Sequence, residues 1–312
     1  MKKNKVVFMG TPDFAVPTLQ MLIEQQYSIE LVVTQPDRPK GRGNKHTMSA
    51  VKEVALKHNL HISQPDKIRG NEEFYNEISS INPEIIIVVA FGQILPKEIL
   101  DLPILGCINI HGSLLPKYRG AAPIQWAIID GEDETGVTIM YMNEGLDTGD
   151  MIYKKTIKIE HADTSATLFD KLSNVGATAL QEALPMILDG GKDRVTQDDS
   201  IATLAPRINK ELGHIDFTKP ATAIYNLMRG LIPWPVAYFI YQDTPIKVFD
   251  STVINHDSDK LAGTIVKVDK EGILVQCASG MLLITDIQVP NKKRMKVSEY
   301  IKGHQIDVGV II

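Results

Sequence analysis

The chain has 312 residues, 44% hydrophobic and 23% charged, an ordinary globular composition with length enough for two domains. No apolar run reaches 18 residues, which excludes a membrane-spanning helix, and two widely separated cysteines, Cys107 and Cys277, exclude a disulfide framework, so a cytoplasmic location is expected. The net charge of −5 is uneven: residues 207–312 carry 13 Lys and Arg against 11 Asp and Glu, and residues 1–206 carry 20 against 27, which allows an anionic partner on the C-terminal part without requiring one.

After the basic opening MKKNK, the apolar run Val6–Met9 is too short for a signal-peptide core and is patterned as the first strand of a buried parallel sheet. Gly10-Thr11-Pro12-Asp13 is a turn, Asp13 a candidate cap, and the helix it opens reaches to about Gln26 before a second strand at Ile29–Thr34. This layout is that of a nucleotide fold, but the G-x-G-x-x-G fingerprint is missing. A dinucleotide-linked oxidoreductase is therefore disfavoured. Gln35–Lys45, QPDRPKGRGNK, carries two prolines, two glycines and four basic residues against one acid. It is either a solvated surface loop or a basic arm that grips phosphate. In the second case Arg42 matters most, because guanidinium suits phosphate and the flanking Gly41 and Gly43 let the backbone approach a ligand.

A helix capped by Ser49 runs to His58, and another covers Glu72–Ser80. Glu84–Val89 (EIIIVV) is a continuous β-branched strand of the kind covered on both faces. Ligands of open α/β sheets bind beyond the carboxyl ends of the strands, so Gly92–Pro96 is a candidate pocket wall, the alternative being a plain turn. Leu105–Ile110 is the next strand, Ser113–Pro116 leaves it as a loop, Ala122–Ile129 reads as a helix, and Gly136–Met142 and Met151–Ile159 read as strands joined by Asn143–Asp150. Thr164–Leu188 has helical apolar spacing, with Thr164 or Ser165 as cap. Gly190–Arg207 is polar, aperiodic and expected to be a linker. Beyond Pro233-Trp234-Pro235 the texture changes to short strands about ten residues apart, from Ala237–Tyr241 to Leu282–Gln288, which predicts a small β-barrel or sandwich.

Three polar groups are hard to explain as packing. Asn109 and His111, two apart on a strand, share a face, and Asp147 lies 36 residues beyond His111 in a glycine-flanked loop. An amide, an imidazole and a carboxylate brought together make a proton-transfer site with an oxyanion donor. The carboxylate would fix the tautomer of the imidazole and stabilise its protonated form. Cys107, in an apolar strand, is expected in the core rather than as a nucleophile. No Cys or carboxylate stands at metal-ligand spacing from His58 and His61, so no metal is expected.

Asn109-x-His111 followed by Gly-Ser-Leu-Leu-Pro, then Tyr-Arg-Gly-Ala-Ala-Pro-Ile, then Gly-Leu-Asp-Thr-Gly-Asp, resembles the folate-dependent formyltransferase family. So do Phe8–Pro12, the DRPKGRG loop, Val89–Pro96 and Pro233-Trp234-Pro235, so the resemblance runs over nearly the whole chain. Where that family often has Ala-Pro-Lys, this chain has Ala205-Pro206-Arg207, which keeps the charge.

The resemblance implies a doubly wound, mostly parallel α/β catalytic domain over residues 1–189, a linker over 190–206, and a small OB-like β-barrel over 207–312 that binds tRNA. It implies transfer of the formyl group of 10-formyltetrahydrofolate to the α-amino group of methionine on initiator tRNA, by a monomer that needs no metal and no membrane. Asn109 and His111 would meet the oxyanion and Asp147 would govern the imidazole. The amine proton could leave to His111 or to a water held with Asp147. The folate would lie against Phe91, Gly92, Gln93, Ile94, Leu95 and Pro96, against Ser113, Leu114, Leu115 and Pro116, and against the Asp147 loop. Arg38, Lys40, Arg42 and Lys45, with Arg207, Lys292, Lys293 and Arg294, would hold the tRNA. The trio alone would equally suit a formyltransferase for a small amine, so tRNA specificity must come from the Arg42 loop and the C-terminal domain. A nucleic-acid-binding module on an inactive scaffold would keep those basic features and tolerate loss of the trio.

Overall fold

The computed structural model describes residues 4–40, 45–191 and 193–312, without the side chains of residues 39, 40, 45 and 46. Arg42 thus lies outside the described residues, as do the side chains of Lys40 and Lys45. Two compact units form. The first comprises residues 1–120, 134–157 and 169–205, and the second comprises residues 121–133, 158–168 and 206–312.

The first unit is built on a seven-stranded sheet. Its first strands are β1 (Lys5–Gly10) and β2 (Ser28–Val33), joined by α1 (Val16–Glu24). A short antiparallel ribbon follows, β3 (Arg38–Lys40) with β4 (Lys45–Thr47). Then come α2 (Ala50–Lys57), β5 (Ile62–Ser63), α3 (Glu72–Ile81), β6 (Ile85–Val89), α4 (Lys97–Leu100), β7 (Cys107–His111) and the two-residue β8 (Arg119–Gly120). Beyond α5 (Pro123–Ile129), which falls in the second unit, β9 (Glu134–Tyr141) and β10 (Met151–Lys158) complete the sheet. The strand order is β10-β9-β7-β6-β1-β2-β5. The pairs from β5 to β7 are parallel, and β9 runs antiparallel to β7, so the sheet is mostly parallel as expected.

All five residues of β6 and the last five of β1 are buried, which is why their sequences are unbroken apolar runs rather than alternating ones. The order reverses between β1 and β6, the switch point where such sheets open a crevice. Asp13 does not cap α1: it lies inside a 3-10 turn, Asp13–Ala15, that Pro12 opens. Ser49 does cap α2 and Asn71 caps α3, each accepting from a backbone N–H three residues on. The long helix α6 (Ser165–Leu188) is capped by Thr164, whose hydroxyl accepts from Thr167 N, and not by Ser165.

Residues 190–206 are more than a connection. Val195 bridges Met151 in both directions at 2.8 Å, and β11 (Leu204–Ala205) pairs in parallel with β8. The segment lacks apolar periodicity because it is held by single polar contacts rather than by a face.

In the second unit, α7 (Ala221–Gly230) packs on α5 and on an antiparallel sheet. That sheet runs β12 (Tyr238–Tyr241), β13 (Thr244–Ile254), β16 (Met281–Gln288), β15 (Gly272–Gln276) and β14 (Ile265–Asp269), with β17 (Met295–Lys296) also on β16 and α8 (Val297–Tyr300) after it. Bulges around Asp250 bend β13, and the sheet curls into an OB-like half-barrel. Its core includes Phe217, Ile224, Phe239, Val248, Ile273 and Ile284. α5 groups with this unit because Ala122, Ile208 and Leu231 share one apolar cluster, a long-range association that a contiguous boundary at 189 or 207 cannot express.

Candidate active site

Strand alternation sets up the site. Ile108 and Ile110 point to the face where α6 lies; Gly176 of α6 is there because a Cβ would come within 3.0 Å of Ile110. Cys107, Asn109 and His111 therefore share the other face. Cys107 is buried in the core, as expected, and burial pushes its thiol up to about 12. Asn109 is half-buried, and its carboxamide has no hydrogen-bond partner among the described residues. His111 is 6% exposed.

The three residues Tyr118-Arg119-Gly120 hold the rest. His111 Nε2 lies 2.9 Å from the Tyr118 carbonyl, which can only accept, so Nε2 carries a proton and the ring orientation is fixed there. Nδ1 faces Asp147, whose Oδ2 lies 3.7 Å away, an ion-pair distance and not a hydrogen bond. The Gly120 N–H donates to that same Oδ2 at 2.9 Å. Between them, Arg119 sends Nε to Gln197 Oε1 (3.0 Å) and Nη2 to Asp199 (2.7 Å). Gln197, 7% exposed, then donates from Nε2 to the carbonyls of both Asp147 and Gly149, each at 2.8 Å. The imidazole is thus oriented by a carbonyl, the carboxylate by a backbone N–H, and the loop that carries the carboxylate is held by a glutamine.

The backbone is strained where the site is made. Ala90, Tyr118 and Asp147 have φ of 46°, 63° and 52°, left-handed values that non-glycine residues seldom adopt away from caps and turns. Tyr118 is held there by its N–H on Thr203 Oγ1 at 2.8 Å, and Arg119 N donates to Thr203 O, again from the 190–206 segment. The glycines of the Asp147 loop have a steric cause. A Cβ on Gly149 would sit 1.8 Å from the Tyr141 carbonyl oxygen. Asn143 Oδ1 closes the turn by accepting from Gly145 N and Thr148 Oγ1.

The loop after His111 is internally satisfied. Ser113 Oγ donates to Lys117 O, and buried Thr138 Oγ1 donates to Ser113 O and accepts from Leu115 N. Leu115 packs with Met140 and Met151, and Leu114 lies against Gly136 of β9. Lys154 Nζ donates to the Leu115 carbonyl, and burial lowers its pKa below the usual lysine value. Ser113 is thus hydrogen-bonded and Leu115 packed, while Leu114 and Pro116 are half-buried, and Pro116 follows a cis peptide bond.

In the segment after β6, Phe91 and Leu95 are buried in the core, Gln93 binds Ile68 N through Oε1, and Ile94 is 80% exposed. Gly92 and Pro96 are not buried. The Phe91 carbonyl accepts from Thr11 Oγ1 (3.2 Å) and from Gln35 Nε2 (3.3 Å), so the root of the basic ribbon is tied to this segment. Asp37, at the same root, pairs with Lys52 at 2.7 Å and accepts from Gln64.

Of the expected tRNA-binding residues, Arg38, Arg207, Lys292 and Lys293 are exposed. Arg294 is exposed as well, its side chain 53% accessible; it pairs with Asp286 at 2.9 Å, which raises its pKa, and lies over the Phe249 ring. Gln197, Arg119, Tyr118, Thr138 and Thr203 were not predicted. Tyr-Arg-Gly stood out as a motif, but nothing in the sequence pairs Arg119 with a glutamine 78 positions away.

The sequence profile of the family described as formyl transferase matches residues 3–184, and that of its C-terminal domain matches residues 207–305. Among curated proteins, the methionyl-tRNA formyltransferase of Clostridioides difficile (strain 630) is 55% identical over 308 residues, 99% of both chains. That of Lysinibacillus sphaericus (strain C3-41) is 51% identical over 301 residues, 96% of both. Among solved structures, a sugar 3N-formyl transferase crystallised with dTDP and 5-N-formyl-THF superposes with a TM-score of 0.68 at 21% identity, covering 94% of this chain and 100% of its own.

Proposed function

The chain belongs to the formyl transferase family, and we propose from that membership that it passes the formyl group of 10-formyltetrahydrofolate to the α-amino group of methionyl-initiator tRNA. Relatives that share about half of the residues over nearly the full length carry that activity in their names, whereas the sugar-formylating structures share about a fifth. The single observation that carries the chemistry is the Asn109–His111–Asp147 group, in which Tyr118 fixes His111, Gly120 fixes Asp147 and the Asn109 amide is left open.

The neutral amine attacks the formyl carbon, a C–N bond forms, and the carbonyl electron pair moves to oxygen. The tetrahedral oxyanion then collapses, the bond to N10 of the folate breaks, the amine gives up one proton and N10 gains one. Asn109, with its amide unpaired, donates to the oxyanion. Nε2 of His111 is committed to the Tyr118 carbonyl, so Nδ1 is the nitrogen that works. Protonated, it donates to the oxyanion while the Asp147 carboxylate balances its charge. Asp147 Oδ2, already fixed by Gly120, takes the amine proton through a water.

The folate lies in the crevice at the switch point, against main chain of 91–96 and of the Leu146–Asp150 loop. The exposed apolar side chains Ile94 and Leu146 (62% exposed) suit the faces of a flat ring. The 113–116 loop supports this wall from behind. Residues 207–312 bind the tRNA, with Arg207, Lys292 and Lys293 on phosphates, and Arg38, Lys40, Arg42 and Lys45 grip its end. Arg294, 53% exposed while paired with Asp286, stays in the tRNA set. The enzyme works as a cytoplasmic monomer; among the described residues no helix is long and apolar enough to cross a membrane.

A formyl-transfer assay with 10-formyltetrahydrofolate tests the reading. Charged initiator tRNA should be formylated far faster than elongator methionyl-tRNA or small amines. Equal rates with an amino sugar would overturn it.

A further inference from the structure

The second unit carries a cleft that the formyl-transfer chemistry does not use. Its floor is the outer face of β12, β13 and β16. Along β12, Phe239 and Tyr241 are buried while Tyr238 and Ile240 face outward, as a period of two requires. Tyr238 pairs with Lys247, and Lys247 with Gln288, so an aromatic ring, an ammonium and an amide form one row across three strands. Trp234 and Pro290 also line it, and the volume is about 600 Å³. Among the described residues no carboxylate lines it, and its two charged groups, Lys210 and Lys247, are both cationic.

Trp234 is 52% exposed and Ile240 38%. An exposed indole beside an exposed aliphatic residue costs solvation and marks an interaction site. The turn after Pro290 continues into the exposed Lys292 and Lys293, which extends the positive rim. Flat apolar walls, two ammonium groups inside and a basic edge suit a nucleobase with its phosphates. An apolar peptide would not need four lysines.

We infer that this cleft takes an unpaired nucleotide of the tRNA. The base stacks on Trp234 and Tyr238, and Lys210 and Lys247 hold the flanking phosphates. Unpaired bases are the ones that can leave a helix and stack on aromatic side chains. The inference rests on the reading that residues 207–312 bind tRNA, and the experiment separates the two.

The full chain is assayed for tRNA binding and for KM with W234A, W234F and K292A/K293A. Stacking on an aromatic ring is worth about 5- to 150-fold in affinity. W234A should weaken tRNA binding by that order, raise KM for the tRNA but not for the folate, and leave the salt slope alone. W234F should recover most of the loss. In a W126F background, Trp234 emission should be quenched by a short single-stranded RNA and not by a blunt RNA duplex. If W234A binds tRNA like the parent while K292A/K293A weakens binding and flattens its salt dependence, the cleft proposal fails and the domain reading stands. If neither variant changes binding, both fail. If single-stranded RNA leaves the emission unmoved and sedimentation shows a dimer that W234A dissolves, the cleft is a protein contact and the inference is overturned.

Discussion

At the scale of residues, the unpaired Asn109 amide and the committed Nε2 of His111 assign different work to the two neighbours. Asn109→Ala should lower kcat by about 10²–10³ while leaving tRNA affinity unchanged, read in single-turnover assays at saturating substrates. Gly149 carries a steric demand rather than a chemical one, since a methyl group would meet the Tyr141 carbonyl oxygen at 1.8 Å. Backbone faces backbone there, so relaxation is limited. Gly149→Ala should cost at least about 1–3 kcal/mol in urea unfolding and should lower kcat through misplacement of Asp147. The sequence singles out Asn109 and His111 on an apolar strand and Asp147 in a glycine-flanked loop. It did not show which imidazole nitrogen is free, because that depends on where the Tyr118 carbonyl lands.

At the scale of elements, β8 and the 190–206 segment act together. Tyr118 and the two residues of β8 hold His111, Gln197 and Asp147, and Thr203 and β11 hold this stretch. Gln197 is the joint, with both of its carboxamide atoms used and two carbonyls depending on it. Gln197→Ala leaves those carbonyls and Arg119 Nε unpartnered, and should cost about 1–3 kcal/mol of stability. It should also lower kcat more than it raises KM for either substrate, because Asp147 is oriented and not replaced. Gln197→Glu should not rescue it, since a carboxylate cannot donate to two carbonyls. Strands and helices were legible from their runs and caps: β6 from its β-branched stretch and α2 from Ser49. The strap was not, because isolated polar contacts leave no period in the sequence.

At the scale of the molecule, two interleaved units each enclose an apolar core, and each core buries one thiol. Burial pushes Cys107 up to about 12 and Cys277 to about 11, from 9.0 for a free thiol. Below pH 9 both thiols are neutral whether the chain is folded or not, and they leave stability unchanged. Above it the unfolded chain ionises first, so stability should fall by about 1.4 kcal/mol per pH unit for each thiol until its folded value is reached. Urea unfolding from about pH 8 to about pH 11 should show the fall, and Cys107→Ser should remove its share of the slope, whatever it does to absolute stability. Composition and periodicity were enough to predict a mostly parallel sheet and a C-terminal β-rich part, because each depends on neighbours close in sequence, and motif singled out Asn109, His111 and Asp147 as candidates. Tertiary structure alone decided that α5 joins the C-terminal unit, that residues 190–206 brace the site, and that Arg294 pairs with Asp286. Those outcomes depend on contacts between residues far apart in the chain or on which of several neighbours a side chain meets, and a hydrogen bond formed once leaves no pattern in the sequence that specifies it.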